Sequence, residues 1–149
     1  MSRTVCRLLS LALILAQAAC TAGTSPTTMP AATSHVELDV FSGVPNPTWK
    51  LSAADTATLV GAISRLSETS PMDLPTPLGY RGFLVTLDEP ESGSTATIRA
   101  YLGIVEYQER ETKYYADPDK QVERWLLDTA RPHIDGKLYD SLLVETGEQ

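Results

Sequence analysis

Residues 36–50, with the sequence VELDVFSGVPNPTWK, constrain the fold more than any other stretch of the chain. The first five alternate between apolar and acidic residues, and this period of two is typical of a β-strand with one buried face. Gly43 and two prolines then prevent regular structure. We therefore expect a strand over about 35–41, followed by an irregular loop in which Trp49 closes the end of a core.

Two later segments have the apolar spacing of amphipathic helices. Ser52, with an acid three residues later, predicts the N-cap of a helix over 53–67. Asp117, followed by proline, predicts the N-cap of a second helix, which should end before Pro132. The pattern of residues 133–149 fits a short helix and a strand equally well.

The remaining strands of the predicted sheet come from the middle of the chain. Residues 83–87 and 96–102 alternate on either side of a turn rich in proline, serine and glycine, which predicts a β-hairpin. Residues 104–107 continue extended, and 112–115 can return as a further strand. This order of elements predicts an α+β fold: a small two-layer domain, with an antiparallel sheet of three to five strands and two main helices on one face.

The N-terminus has the order of a secretory signal peptide. Two arginines and no acid precede the apolar run 8–16, which is too short to span a bilayer, and small residues follow it. Ala18-Ala19-Cys20 resembles the lipobox of bacterial lipoproteins, although Gln17 stands where an aliphatic residue is usual. The resemblance implies a lipid on Cys20, which would attach the mature protein to a membrane of the cell envelope.

Ordinary signal cleavage is the alternative, because residues 16–18, Ala-Gln-Ala, also fit a small-x-small site. Cleavage there would release a soluble periplasmic or extracellular protein. Downstream of the cysteine, the chain up to residue 34 has no charge and no aromatic ring, which predicts a disordered stalk. The predicted organisation is a signal peptide (1–19), an anchor cysteine and stalk (20–34) and a single globular α+β domain (35–149).

Charge and cysteine content exclude several functional classes. The formal net charge is −7, and it becomes −9 if the leader with Arg3 and Arg7 is removed. Such an acidic chain is not expected to bind nucleic acid. Both cysteines lie within the first twenty residues, so the globular part has no disulfide and no thiolate metal site.

Catalytic motifs are absent from the sequence. There is no Gly-x-Ser-x-Gly elbow, and the two histidines, His35 and His133, lack the spacing of a metal site. We predict no metal and no cofactor. Among the acid pairs of the chain, Glu37 and Asp39 would lie about 7 Å apart on one strand face, a separation suited to glycoside hydrolysis.

Two segments are the best candidates for ligand binding. Asn46 and Trp49 lie in the proline-rich loop, where an amide stands near an aromatic ring. Tyr80 and Arg81 lie between two glycines, and Arg81 can bind a carboxylate or pair with an acid of the first strand. We expect a non-enzymatic binding or interaction module whose ligand is a peptide, a carbohydrate or a protein. A carboxylate-dependent hydrolase and a purely structural envelope protein are the alternatives.

Overall fold

The structure of the protein, a computed structural model, describes residues 33–89 and 94–147. The predicted signal peptide, the anchor at Cys20 and nearly all of the predicted stalk lie outside these residues. The turn predicted at 90–93 also lies outside them. Within the described ranges, no helix has the length and apolarity needed to cross a bilayer.

Strands and helices follow one another along the described residues in four runs: two strands, one helix, five strands and two helices. The elements are β1 (Thr33–Leu38), β2 (Thr48–Leu51), α1 (Ala53–Ile63), β3 (Ser67–Thr69), β4 (Phe83–Glu89), β5 (Ser94–Tyr101), β6 (Ile104–Gln108), β7 (Thr112–Ala116), α2 (Gln121–Ala130) and α3 (Gly136–Glu145). All strands of the described residues join one antiparallel sheet in the order β2-β1-β4-β5-β6-β7-β3. Strands β4 to β7 are neighbours in sequence and in space, whereas β1 pairs with β4 and β3 pairs with β7 across long intervening segments.

The prediction of three to five strands and two main helices is wrong, although the fold is still a mixed α+β one. The described residues form seven strands and three helices. Both strands that the sequence did not reveal are short strands at the sheet edges, β2 with four residues and β3 with three. So few residues give too little alternation to be recognised. The third helix is α3, in the C-terminal segment that fitted a helix and a strand equally well.

One face of the sheet forms the core with the helices. Val36 of β1 pairs with Trp49 of β2 on one side and with Val85 of β4 on the other. These side chains belong to the same buried cluster as Leu59 of α1 and Leu126 of α2. On the other face, side chains such as those of Thr95 and Thr97 in β5 are exposed. This one-sided burial is what an antiparallel sheet with helices on one face requires.

The predicted start of α1 is confirmed, whereas its predicted end at residue 67 is wrong, because the helix ends at Ile63 and β3 begins at Ser67. The predicted start of α2 is also corrected. Ser52 caps α1, because its hydroxyl accepts a hydrogen bond from the N–H of Asp55. Helix α2 begins only at Gln121, after Lys120 in the left-handed conformation (φ 51°). Asp117, four residues before the helix, nevertheless caps it, because its carboxylate accepts hydrogen bonds from the N–H groups of Gln121 and Val122.

Candidate functional site

The loop between β1 and β2 is held by the side chain of Asn46. Its amide oxygen accepts the N–H groups of Val40 (3.1 Å) and Phe41 (2.8 Å). Its amide nitrogen donates to the carboxylates of Glu37 (2.8 Å) and Asp39 (3.1 Å). One side chain therefore fixes both the course of the loop and the two acids that precede it.

Arg81 fixes the same loop from the segment that precedes β4. Its guanidinium donates to both carboxylate oxygens of Asp39 and to the main-chain carbonyls of Phe41 and Gly79. The hydrogen bond to Asp39 raises the pKa of Arg81 above its ordinary value. The structure thus brings two predicted site residues, Asn46 and Arg81, together on the carboxylate of Asp39.

The other two predicted site residues lie inside the domain and are joined through Phe83. The rings of Trp49 and Tyr80 both contact the Phe83 ring edge to face, at centroid distances of 6.4 and 6.0 Å. Trp49 is only 4% exposed, and its indole N–H donates to the hydroxyl of Thr129. The Tyr80 hydroxyl donates to Glu123 (2.8 Å). The pKa of Tyr80 is raised, mainly by burial and secondly by the negative charge of Glu123.

All four predicted residues therefore already have partners within the domain. Asn46 and Arg81 order a loop, while Trp49 and Tyr80 pack beneath it. Their direct contact with a ligand stays a prediction. The structure also reveals a feature beside Trp49 that the sequence did not indicate, the outer edge of β2.

The main chain of β2 has a defined inner and outer side. The N–H of Leu38 donates to the carbonyl of Pro47 (2.9 Å), which makes Trp49, two residues further on, a hydrogen-bonded partner of β1 as well. Successive residues of a strand direct their main-chain groups to opposite edges, so the N–H and C=O groups of Thr48 and Lys50 point away from β1. Because β2 is the outermost strand among the described residues, these four groups form an open hydrogen-bonding edge.

A groove of about 430 Å³ runs along this edge. Residues 49–51 form one wall, and the other residues that line it come from α1, α2 and the segment after α2: Asp55, Asp128, Thr129, Pro132 and His133. The imidazole of His133 stacks on the indole of Trp49, with 5.7 Å between ring centroids and 9° between ring planes. The groove therefore combines a strand edge that no other described strand pairs with and an aromatic wall.

This arrangement has the parts needed to bind a polypeptide main chain. Outward N–H and C=O groups that recur every second residue match the hydrogen-bonding pattern of an added strand. In the described ranges, no group of histidine, cysteine, aspartate or glutamate side chains is arranged to hold a metal ion. Comparisons with protein-family models, with curated proteins and with solved structures found no match.

Sequence reasoning missed Thr48 and Lys50, for which one weak signal exists. Residues 48–51 read Thr-Trp-Lys-Leu, so polar and apolar residues alternate between the last proline and the Ser52 cap. That is the period of a strand, but four residues also fit the end of a loop. His133 and Asp128 could not have been linked to Trp49, because they lie far along the chain.

Proposed function

We propose that this protein is an exported, lipid-anchored and non-enzymatic module of the cell envelope that binds an extended polypeptide segment by strand addition to β2. The observation that carries the proposal is the outward direction of the main-chain groups of Thr48 and Lys50 beside the groove. An extended segment placed there would satisfy these groups and continue the sheet.

The aromatic wall supports a polypeptide ligand over a carbohydrate. Sugars stack on an aromatic ring that is open to solvent, whereas Trp49 is 4% exposed and one ring face is stacked on His133. The stacked Trp49–His133 pair instead gives a boundary against which side chains of an added strand can pack.

Glu37 of β1 and Asp39, which directly follows β1, support a binding role over a hydrolytic one. Glu37 and Asp39 both accept hydrogen bonds from the Asn46 amide, and Asp39 also accepts hydrogen bonds from the guanidinium of Arg81. These bonds order the loop that leads into β2. The two carboxylates therefore act in positioning the strand edge, which is a structural task.

Replacing Lys50 with proline is the direct test of strand addition. Proline removes the outward N–H, and edge strands tolerate proline because that N–H has no partner in the sheet. We expect Lys50→Pro to weaken binding of a blocked peptide of about eight residues, alternating threonine and lysine, by about tenfold or more. The unfolding free energy should change by less than about 1 kcal/mol. Calorimetry and denaturant titration measure the two quantities.

Lys50→Ala is the matched control, since it removes the side chain and keeps the N–H. It should retain most of the affinity, and the wild-type amides of Thr48 and Lys50 should exchange more slowly with solvent when the peptide is bound. A peptide N-methylated at alternate residues should not bind. If Lys50→Pro binds the peptide as tightly as Lys50→Ala, or if the N-methylated peptide binds normally, strand addition at β2 is refuted.

The anchor is tested separately by the intact mass of the protein purified from its native membrane. We expect a chain that begins at Cys20 and carries additional acyl mass, recovered with the membrane fraction. A Cys20→Ser variant should lose both the acyl mass and the membrane association. A mature chain that begins at Ala19 without acyl mass would contradict the anchor and would leave the binding proposal standing.

A further inference from the structure

An added strand at β2 would divide its side chains between two different environments. Successive side chains of a strand point to opposite faces. Those beside Trp49 and Leu51 would turn toward the helices, where the groove lies, and those beside Thr48 and Lys50 would turn toward the open face of the sheet. The charged side chains that lie nearest to the added strand differ between these two sides.

The helical side of the groove carries two carboxylates, together with the imidazole of His133 on the Trp49 ring. Asp55 accepts a hydrogen bond from the hydroxyl of Ser52 with one oxygen, and Asp128 accepts one from the hydroxyl of Tyr139. Each bond fixes a carboxylate through a single oxygen and leaves its negative charge in the groove. The cation nearest to Asp128 in sequence, Arg131, lies over the ring of Tyr139 at 4.2 Å and donates to its hydroxyl. The hydrogen bond to Tyr139, and to a smaller extent the charge of Asp128, raise the pKa of Arg131, so Arg131 offsets part of the Asp128 charge.

The open-face side of the same edge carries a cation at Lys50, whereas the acid Glu37, held by Asn46, lies across from Thr48. The side chain of Lys50 is exposed, and its cross-strand neighbour on β1 is His35, which is also exposed. A ligand side chain that turns to this face next to Lys50 would meet positive charge. Opposite charges at neighbouring positions of paired strands stabilise the pairing, and like charges destabilise it.

From these charges we propose that the β2 edge recognises an extended segment whose charges alternate where it passes Lys50, with basic side chains toward the helices and an acidic one on the open face next to Lys50. The inference rests on the strand addition proposed above. It also makes a second copy of the protein a poor ligand for the edge. In an antiparallel pair of β2 strands, two copies of Lys50 would approach each other, and edge lysines are a common device against self-pairing.

Two blocked peptides of the same composition provide the test. In the first, lysine and glutamate alternate, so one face of the extended peptide is wholly basic and the other wholly acidic. In the second, two lysines alternate with two glutamates, so both faces are mixed in every register. We expect the alternating peptide to bind about tenfold more tightly at low ionic strength, and this preference should shrink toward onefold in about 1 M salt.

Asp128→Asn is the informative variant, because asparagine keeps an oxygen that can accept from Tyr139 while it removes the charge. It should lower the preference for the alternating peptide about threefold, and Lys50→Gln should do the same. Glu111→Gln removes one acid from the turn between β6 and β7, remote from β2 in the sheet, and should leave the preference unchanged.

The outcomes separate the two proposals. If both peptides bind equally and protect the amides of Thr48 and Lys50, the charge preference is refuted and strand addition stands. Equal loss of affinity for both peptides in Asp128→Asn would also refute the preference. If neither peptide binds the wild-type protein, both proposals fail. Dimerisation of the protein in light scattering, abolished by Lys50→Pro, would assign the edge to a second copy and overturn both.

Discussion

Replacing Gly82 with alanine is expected to lower the unfolding free energy by about 4 kcal/mol. Gly82 precedes β4 with φ +101°, a conformation that L side chains rarely adopt. A Cβ atom there would collide with the carbonyl oxygen of Ala100 and would stand 2.7 Å from the Cβ of Tyr101. Both atoms belong to β5, so the collision can be relieved only by moving one central strand away from another.

Gly43→Ala is the matched control in the same assay. Gly43 also has a positive φ, +86°, but a Cβ added to it would meet no atom within 4 Å, so only the backbone conformation is penalised. We expect a loss of about 1 kcal/mol. Denaturant titration of both variants, with near-ultraviolet circular dichroism to check the native packing, gives the comparison. Equal losses for Gly82→Ala and Gly43→Ala would show that the contact with β5 has no energetic importance.

Glu123→Ala is expected to cost about 3 kcal/mol of unfolding free energy. The Glu123 side chain is 1% exposed, and its carboxylate accepts the N–H of Gly103 (2.7 Å) and the hydroxyl of Tyr80 (2.8 Å). It therefore ties α2 both to the turn between β5 and β6 and to the segment before β4. Alanine leaves two donors buried without an acceptor, and that desolvation is not recovered.

A double-mutant cycle separates this effect from the lost volume of the side chain. Tyr80→Phe removes one of the two orphaned donors, so it should cost less in the Glu123→Ala background than in the wild-type protein. We expect a coupling energy of about 1 kcal/mol or more, measured by denaturant titration of the four proteins. Additive losses would mean that Tyr80 and Glu123 do not stabilise each other.

Local signals predict the elements whose determinants lie close together in sequence. The Ser52 cap and the end of α2 before Pro132 each depend on a few neighbouring residues, and the hairpin of β4 and β5 depends on alternation over a long run. The strands β2 and β3 escape such signals because their pairing with β1 and β7 comes from the sheet and not from their own few residues. Asp117 is recognisable as a capping residue, but the left-handed Lys120 that delays the helix leaves no mark in the sequence.

The candidate site is predictable only in part, for the same reason. Asn46 and Trp49 are recognisable in the sequence because they lie in a proline-rich loop. The alternative that Arg81 pairs with an acid of the predicted first strand is what the structure shows, and the acid is Asp39, directly after β1. The groove itself depends on long-range placement. The stacking of His133 on Trp49 joins the segment after α2 to an edge strand, and no spacing in the sequence encodes that contact.

The position of β1 in the sheet has a consequence for how the protein is made. Its pairing with β4 joins Leu38 to Phe83, so a polypeptide synthesised from its N-terminus completes β1 long before that partner exists. Strands β4 to β7 need only short turns to find one another, and closing the longer loop to β1 carries the greater entropic cost. Nascent chains should therefore expose Val36 and Leu38 for an interval. During that interval they depend on a chaperone, or on delayed folding, to escape aggregation.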